Sequence, residues 1–318
     1  MLKTLLRSAC VAFGLSIAAI GQAAPPAQLI VPYNPGGGSD LFGRLVAPSL
    51  GKALGQTMIV ENRAGAGGII GTEDVVKSTP QQTMLLVSDS AVYTIIPSLY
   101  PSLHYSRKDL IPVANLATFG NVLVVPANSP FKTFQDMLAA ARKSPGTLTI
   151  GSNGVGGITH LAAEKLMEQA KIKLVHVPYK GSGPAISDTV GGHINMVFTG
   201  LPSVLTLLKA GKLRALAIAT PKRSPYAPEI PTVSESGVPG FSAMISQGLF
   251  APASMPPDTV RKLNQAVQAF MRQPATQKTM SKLMVEPVYQ SAADYKQWLD
   301  GQAAEWGALI KRAHVKVE

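Results

Sequence analysis

Cysteine is almost absent from this chain: Cys10 stands alone, among the first residues. A disulfide framework and a thiolate metal site are thereby excluded, so an apolar core must hold the fold. Charged residues make up 15% against 46% hydrophobic, which excludes a disordered chain. Beyond the N-terminus no apolar run approaches the ~20 residues that span a bilayer.

Several chemical signatures are missing too. A P-loop needs a glycine followed by Lys-Ser or Lys-Thr at the right spacing, and none is present. The G-x-G-x-x-G fingerprint fails after each expected strand. Gly65-Ala66-Gly67-Gly68-Ile69-Ile70-Gly71 misses by one residue and has no clear acidic partner about 20 residues on. No G-x-S-x-G elbow and no H-E-x-x-H pair exists. His104, His160, His176, His193 and His314 lack paired metal-ligand spacing. Asp40 and Asp89 fall on separate turns, and Asp40 reads as a helix cap rather than a base. The sequence therefore points to no catalytic residue, no cofactor and no metal.

What is present begins with an export signal. Lys3 and Arg7 precede the uncharged apolar stretch 9–20, and Gly21-Gln22-Ala23 is a small-x-small cleavage pattern. Cleavage near Ala23 would discard Cys10 and leave residues 24–318 as the mature chain. Formal charge is +11, from 29 Lys+Arg against 18 Asp+Glu. Export and the scattering of the basic residues argue against nucleic acid.

Strand-like and helix-like runs alternate through the chain, which predicts an α/β fold on mostly parallel sheets. Strands are expected at 29–33, 57–61, 84–87, 121–125, 148–151, 174–178, 194–198 and 213–219, with a short one at 248–251. Pro48 predicts a kink or early end in the helix 40–54. The apolar runs 121–125 and 213–219 read as two crossings between lobes. That division puts 24–122 plus 220–318 in lobe 1 and 123–219 in lobe 2. The stretch 221–239, with five prolines, reads as a long loop.

The organising feature is Pro32-Tyr33-Asn34-Pro35-Gly36-Gly37-Gly38-Ser39-Asp40, a strand end, a glycine-rich turn and a helix start. Glycines put no Cβ between backbone and ligand. Ser39 or Asp40 can cap the helix. Free N–H groups at such a start favour an anion. Alone, this turn reads more simply as a tight connection. Equivalent junctions recur at Ser88-Asp89-Ser90, at 152–157 and at Tyr179-Lys180-Gly181-Ser182-Gly183, where Pro184 suits the first helical position. Two fall before the first crossing and two after it, as expected for two lobes facing across a cleft. His160 sits just inside the helix after 152–157, where capping or packing is its simpler role.

These motifs resemble the extracytoplasmic solute receptors of tripartite tricarboxylate transporters, the Bug or TctC-like receptors. The matching residues are 31–40, Val60-Glu61-Asn62-Arg63-Ala64-Gly65-Ala66-Gly67-Gly68, Gly151-Ser152-Asn153-Gly154 with His160-Leu161-Ala162, and Val175-His176-Val177-Pro178-Tyr179-Lys180-Gly181. Ala210-Gly211-Lys212-Leu213-Arg214-Ala215-Leu216-Ala217 and Pro231-Thr232-Val233-Ser234-Glu235 follow in family order. The resemblance implies a two-lobed type II periplasmic-binding-protein fold, a Venus flytrap that binds without catalysing. It implies a periplasmic monomer that takes a small organic acid and works with membrane permease subunits. A sensor of the same fold without a permease, or a secreted enzyme, are the alternatives.

The expected ligand-binding residues are Tyr33, Gly36, Gly37, Gly38, Ser39, Asp40, Ser88, Asp89 and Ser90 on one side. Ser152, Asn153, Gly156, Gly157, His160, Tyr179, Lys180, Gly181 and Thr199 are expected on the other. The chain departs from the family pattern at Pro80-Gln81-Gln82-Thr83, in place of an Asp-Gly-Tyr turn. Gly157 replaces a common serine, and Asn195 and Thr199 stand where aspartate is frequent. A less acidic second lobe fits a ligand with carboxylates and no ammonium group better than an amino acid.

Overall fold

In the computed structural model, residues 26–79, 82–285, 288, 290–313 and 315–316 are described. The signal segment, Pro80, Gln81 and His314 lie outside the described residues. Strands and helices follow in the order β1 (Ala27–Val31), α1 (Gly38–Leu54), β2 (Met58–Asn62), α2 (Ile69–Val76), β3 (Met84–Asp89), α3 (Ala91–Thr94), α4 (Ile96–Leu99), β4 (Leu110–Pro126), α5 (Phe134–Lys143), β5 (Thr149–Ser152), α6 (Ile158–Ala170), β6 (Val175–Pro178), α7 (Ser182–Val190), β7 (Met196–Gly200), α8 (Leu201–Lys209), β8 (Leu213–Ile218), β9 (Met244–Pro252), α9 (Pro257–Met271), α10 (Pro274–Lys282) and α11 (Ala292–Arg312).

Local chemistry accounts for many of these boundaries. Thr133 opens α5 and Ser291 opens α11 as reciprocal capping boxes with Asp136 and Asp294. Helix α1 buries Phe42, Val46 and Leu50 on one face. Pro48 neither kinks it short nor ends it, and α1 runs on to Leu54. The proline is on the exposed face, where the carbonyl it frees can bond water, and core burial outweighs the lost hydrogen bond.

Strands order as β2-β1-β3-β9-β4-β7-β5-β6, with β8 beside β4. Parallel pairing is confined to the α/β units: β1 with β2 and β3, and β5 with β6 and β7. The pairings of β9 with β3 and β4, and of β4 with β7 and β8, are antiparallel. The sheet is thus mixed, not mostly parallel, because the strands that link the lobes run against their neighbours. The short strand expected at 248–251 is a nine-residue strand, Met244–Pro252, at the sheet's centre. Ser246 and Gln247 interrupt its apolar run and hide its length in the sequence.

Strand β4, 17 residues long, belongs to both lobes. Leu110 to Gly120 pair with β9, and Asn121 to Pro126 pair with β7 and β8. The return connection runs beside this switch. Ala219 donates to the Asn121 carbonyl at 2.7 Å, Ala243 donates to Ala219 at 2.9 Å, and Asn121 donates to Ala243 at 3.2 Å. The proline-bearing segment between them hydrogen-bonds to Ile218 through Pro231 and Val233. Its Ala227 and Ile230 join the buried cluster of Val122, Val124, Leu205 and Leu213. The largest buried cluster spans both lobes, from Phe42 and Leu85 to Leu161 and Phe198.

Candidate functional site

A cavity of about 20 Å³ lies between the lobes, where four helices begin. Gly37 and Gly38 of α1, Thr159 of α6, Ser182 of α7, and Gly200 and Ser203 at α8 all line it. The N-cap residues are Gly37, Gly157, Gly181 and Gly200, and none supplies a side-chain cap. The first N–H groups of each helix therefore lack an intrahelical acceptor and face an anion-favouring field. Among the described residues, no Lys, Arg or His lines the cavity.

The first turn differs in detail from the sequence expectation. Ser39 does not cap α1; its hydroxyl donates to Gln247 Oε1 at 2.8 Å. That bond turns the Gln247 amide nitrogen toward Gly38, where an added Cβ would meet it at 3.0 Å. Asp40 bonds back to the loop, accepting from the Gly36 N–H at 3.2 Å, Arg44 Nε at 3.0 Å and Asn62 Nδ2 at 3.1 Å. Burial pushes the Asp40 carboxyl up, but these donors outweigh it and hold it below the usual carboxylate range. Gly36 takes φ +92°, a left-handed value that glycine accepts without strain.

Asp89 and Asn153 close the cavity from opposite lobes. Asn153 Nδ2 donates to Asp89 Oδ2 at 2.6 Å, and the Ala91 N–H donates to Asp89 Oδ1 at 2.9 Å. Thr159 Oγ1 holds Asn153 through its side-chain oxygen at 2.7 Å and its backbone N–H at 2.8 Å. Burial drives the Asp89 carboxyl up to about 6, against the opposing pull of Ala91, Tyr33 and Asn153. Burial also raises the Tyr33 hydroxyl well above its ordinary value, with the Asp89 charge adding to the rise.

Of the residues expected from sequence, Tyr33, Gly37, Gly38, Ser39, Asp40, Asp89 and Asn153 line the cavity. The others surround it. Ser88 and Ser90 are buried on either side of Asp89. Gly36 faces Gly183 across the interface, and Gly181 packs on Tyr33 and Asn34. Lys180 contributes its carbonyl to the Asn34 N–H at 2.9 Å while its side chain is exposed. Gly156 meets Leu99 and Tyr100 of the facing lobe. Gly157 leaves its Cβ space to the Asn153 side-chain oxygen.

Further positions stand outside the lining of the cavity. His160 accepts from the Gly156 N–H at 3.1 Å and stacks on His176 with ring centroids 4.0 Å apart, so capping and packing describe it. Ser152 pairs with His176 Nε2 at 2.6 Å, and burial holds His176 down to about 3. Tyr179 donates to Asp188 at 2.7 Å. Thr199 is fully buried in β7. Asn195 accepts from Thr149 at the exposed edge of the second lobe. Pro184 stands third in α7, not first, because Ser182 and Gly183 already take helical conformation.

Sequence reading missed Phe119, Ile245 and Gln247, which come from the crossing strands, and Ile158, Thr159, Ser182, Gly200 and Ser203 at the starts of α6, α7 and α8. Gln247 carried a signal: it is a polar residue inside an otherwise apolar strand, and it is 4% exposed. Among the described residues no group of His, Cys, Asp and Glu is placed to hold a metal. No described helix is long and apolar enough to cross a membrane.

The model of the tripartite tricarboxylate transporter family receptor matches residues 42–315. BugT of Bordetella pertussis is 32% identical over 316 residues, covering 96% of this chain and 97% of BugT. Among solved structures, the periplasmic binding protein BugD superposes with TM-score 0.85 at 29% identity, covering 92% of this chain and 99% of BugD. An R. palustris protein solved with adipate gives TM-score 0.87 at 29% identity, covering 92% of this chain and 98% of that one. MatC from Rhodopseudomonas palustris, with bound malate, gives 0.85 at 27%, covering 90% and 98%. A family match over most of the chain, and near-complete coverage of BugT, show that this chain belongs to the receptors of the tripartite tricarboxylate transporter family, which are periplasmic solute-binding proteins.

Proposed function

We propose that this chain is an exported, monomeric receptor that closes on a small organic anion, a carboxylate or dicarboxylate, and delivers it to membrane permease subunits. The observation that carries this reading is the convergence of four helix starts, each capped by glycine alone, on one cavity without a cationic side chain. Backbone N–H groups and helix dipoles then supply the positive field that an arginine supplies elsewhere. Both carboxylates of the cavity are already engaged by protein donors, and the four helix starts oppose a ligand ammonium group. Relatives of known structure with adipate and malate support the same ligand class.

In this reading the signal is cleaved near Ala23. One lobe comprises residues 26–120 with 243–316 and the other 121–242, following the hydrogen-bond switch in β4 and the attachment of 220–242 to Ile218. Calorimetric titration with a panel of mono- and dicarboxylates and amino acids tests it. A dicarboxylate is expected to bind best, and tight binding of an amino acid alone sinks the ligand class. Gly37 has φ −90°, and its Cβ direction points to Ser182 at 3.7 Å across the cleft. Gly37→Leu should therefore fold and yet lose the thermal shift given by the best ligand. At a hundredfold excess over Kd that shift is worth about 2.7 kcal/mol. Normal binding by the folded variant would contradict a site at this turn.

A further inference from the structure

The cavity holds one ionisable group that no cation balances. Asp40 is matched by Arg44 at 2.9 Å. Asp89, 3% exposed at the end of β3, has only neutral partners. Tyr33 faces it from the turn before α1, and Asn153 from the turn before α6. The Tyr105 and Tyr295 hydroxyls feel its charge from the segment before β4 and from α11. Ser88 and Ser90 flank it on its own element. The other charged side chain lining the cavity is Asp40.

Asp89 lines the cavity together with the starts of α1 and α6, so a ligand carboxylate held at those starts would lie beside its carboxyl. Two carboxylates desolvated in one site cannot both ionise freely, and such a pair retains one proton. Asp89 is already raised to about 6 by burial before any anion enters. A ligand ammonium group would relieve the repulsion instead, but four helix starts oppose a cation there. A protonated carboxyl keeps a lone pair for each of these donors and adds an O–H that a ligand oxygen can accept.

We propose that this receptor captures its organic anion together with one proton, shared between Asp89 and a ligand carboxylate. The inference rests on the organic-anion reading above. The proton comes from solvent as the lobes close, and it returns to solvent when the anion leaves. Capture is therefore coupled to pH.

Calorimetry with adipate and malate as probes tests this between about pH 6.5 and about pH 8, where both probes are fully ionised. Titrations in two buffers of different ionisation enthalpy count the protons. Uptake approaching one proton per ligand is expected, with Kd weakening by up to about tenfold per pH unit. Asp89→Asn should flatten the pH dependence and abolish uptake. If that variant does not fold, the buffer comparison on the natural protein decides alone. Binding without uptake, or an unchanged slope in folded Asp89→Asn, overturns the inference and leaves the organic-anion reading standing. Failure of every acid in the panel to bind overturns both.

Discussion

Asp40 and Asp89 share one cavity and titrate in opposite directions, because one has a guanidinium and the other has only neutral donors. The consequence for the ligand-free protein can be worked out in sign. The unfolded carboxyl titrates near 3.9 and the folded Asp89 near about 6, so the native state binds that proton more tightly. Its stabilisation is complete below the unfolded value and is lost as pH rises through the folded one. Asp40, depressed in the fold, acts the other way and loses its contribution as pH falls. Asp89→Asn removes the Asp89 component alone. The stability difference between variant and natural protein should therefore shift in the variant's favour by on the order of 2 kcal/mol between about pH 4 and about pH 7.5. Urea unfolding at each pH measures it, and a gap that stays constant refutes the assignment of a raised carboxyl.

At the scale of elements, the two lobes meet through the backbones of their glycine-rich turns. Gly183 in α7 lies against the Pro35 carbonyl, so that a Cβ there would strike it. Gly183 has no positive φ, and alanine suits a helix better than glycine. Gly183→Ala should hence keep or slightly raise the ligand-free melting temperature while blocking full closure. Affinity for the best ligand should fall at least about tenfold, roughly 1.4 kcal/mol. Unchanged affinity would mean that the turns do not approach this closely in the bound state. These turns were legible in the sequence because glycine, N-cap and strand end are local signals. The antiparallel placement of β4 and β9 was not, since Phe119, Ile245 and Gln247 reach the cavity only through pairing between residues far apart in sequence. The packing of 220–242 was hidden for the same reason: its prolines read as loop, and its contacts with Ile218, Val122 and Phe198 are long-range.

For the whole molecule, polar contacts across the cleft add to an apolar cluster that spans both lobes. Asn34 to Lys180 at 2.9 Å, Asn153 to Asp89 at 2.6 Å and Tyr100 to Val155 at 3.3 Å are hydrogen bonds across the cleft. Lys165 with Glu305 at 3.0 Å and Arg312 with Glu168 at 3.3 Å join α6 to α11. The Arg312–Glu168 pair is largely exposed, and such a pair contributes about 0–1 kcal/mol, so it does not lock the lobes. A cavity of about 20 Å³ holds a water-sized group, so a dicarboxylate needs the lobes to part further. Opening and closing must then be balanced finely enough for a ligand to tip them. A ligand that touched one lobe alone would shift nothing, whereas one spanning the starts of α1 and α6 favours the closed form by its full contact with the second lobe. Solution scattering should accordingly show a smaller radius of gyration when adipate or malate is added to saturation, provided calorimetry has established that the acid binds. An unchanged radius in the saturated complex would remove the flytrap and leave a receptor that binds without lobe motion.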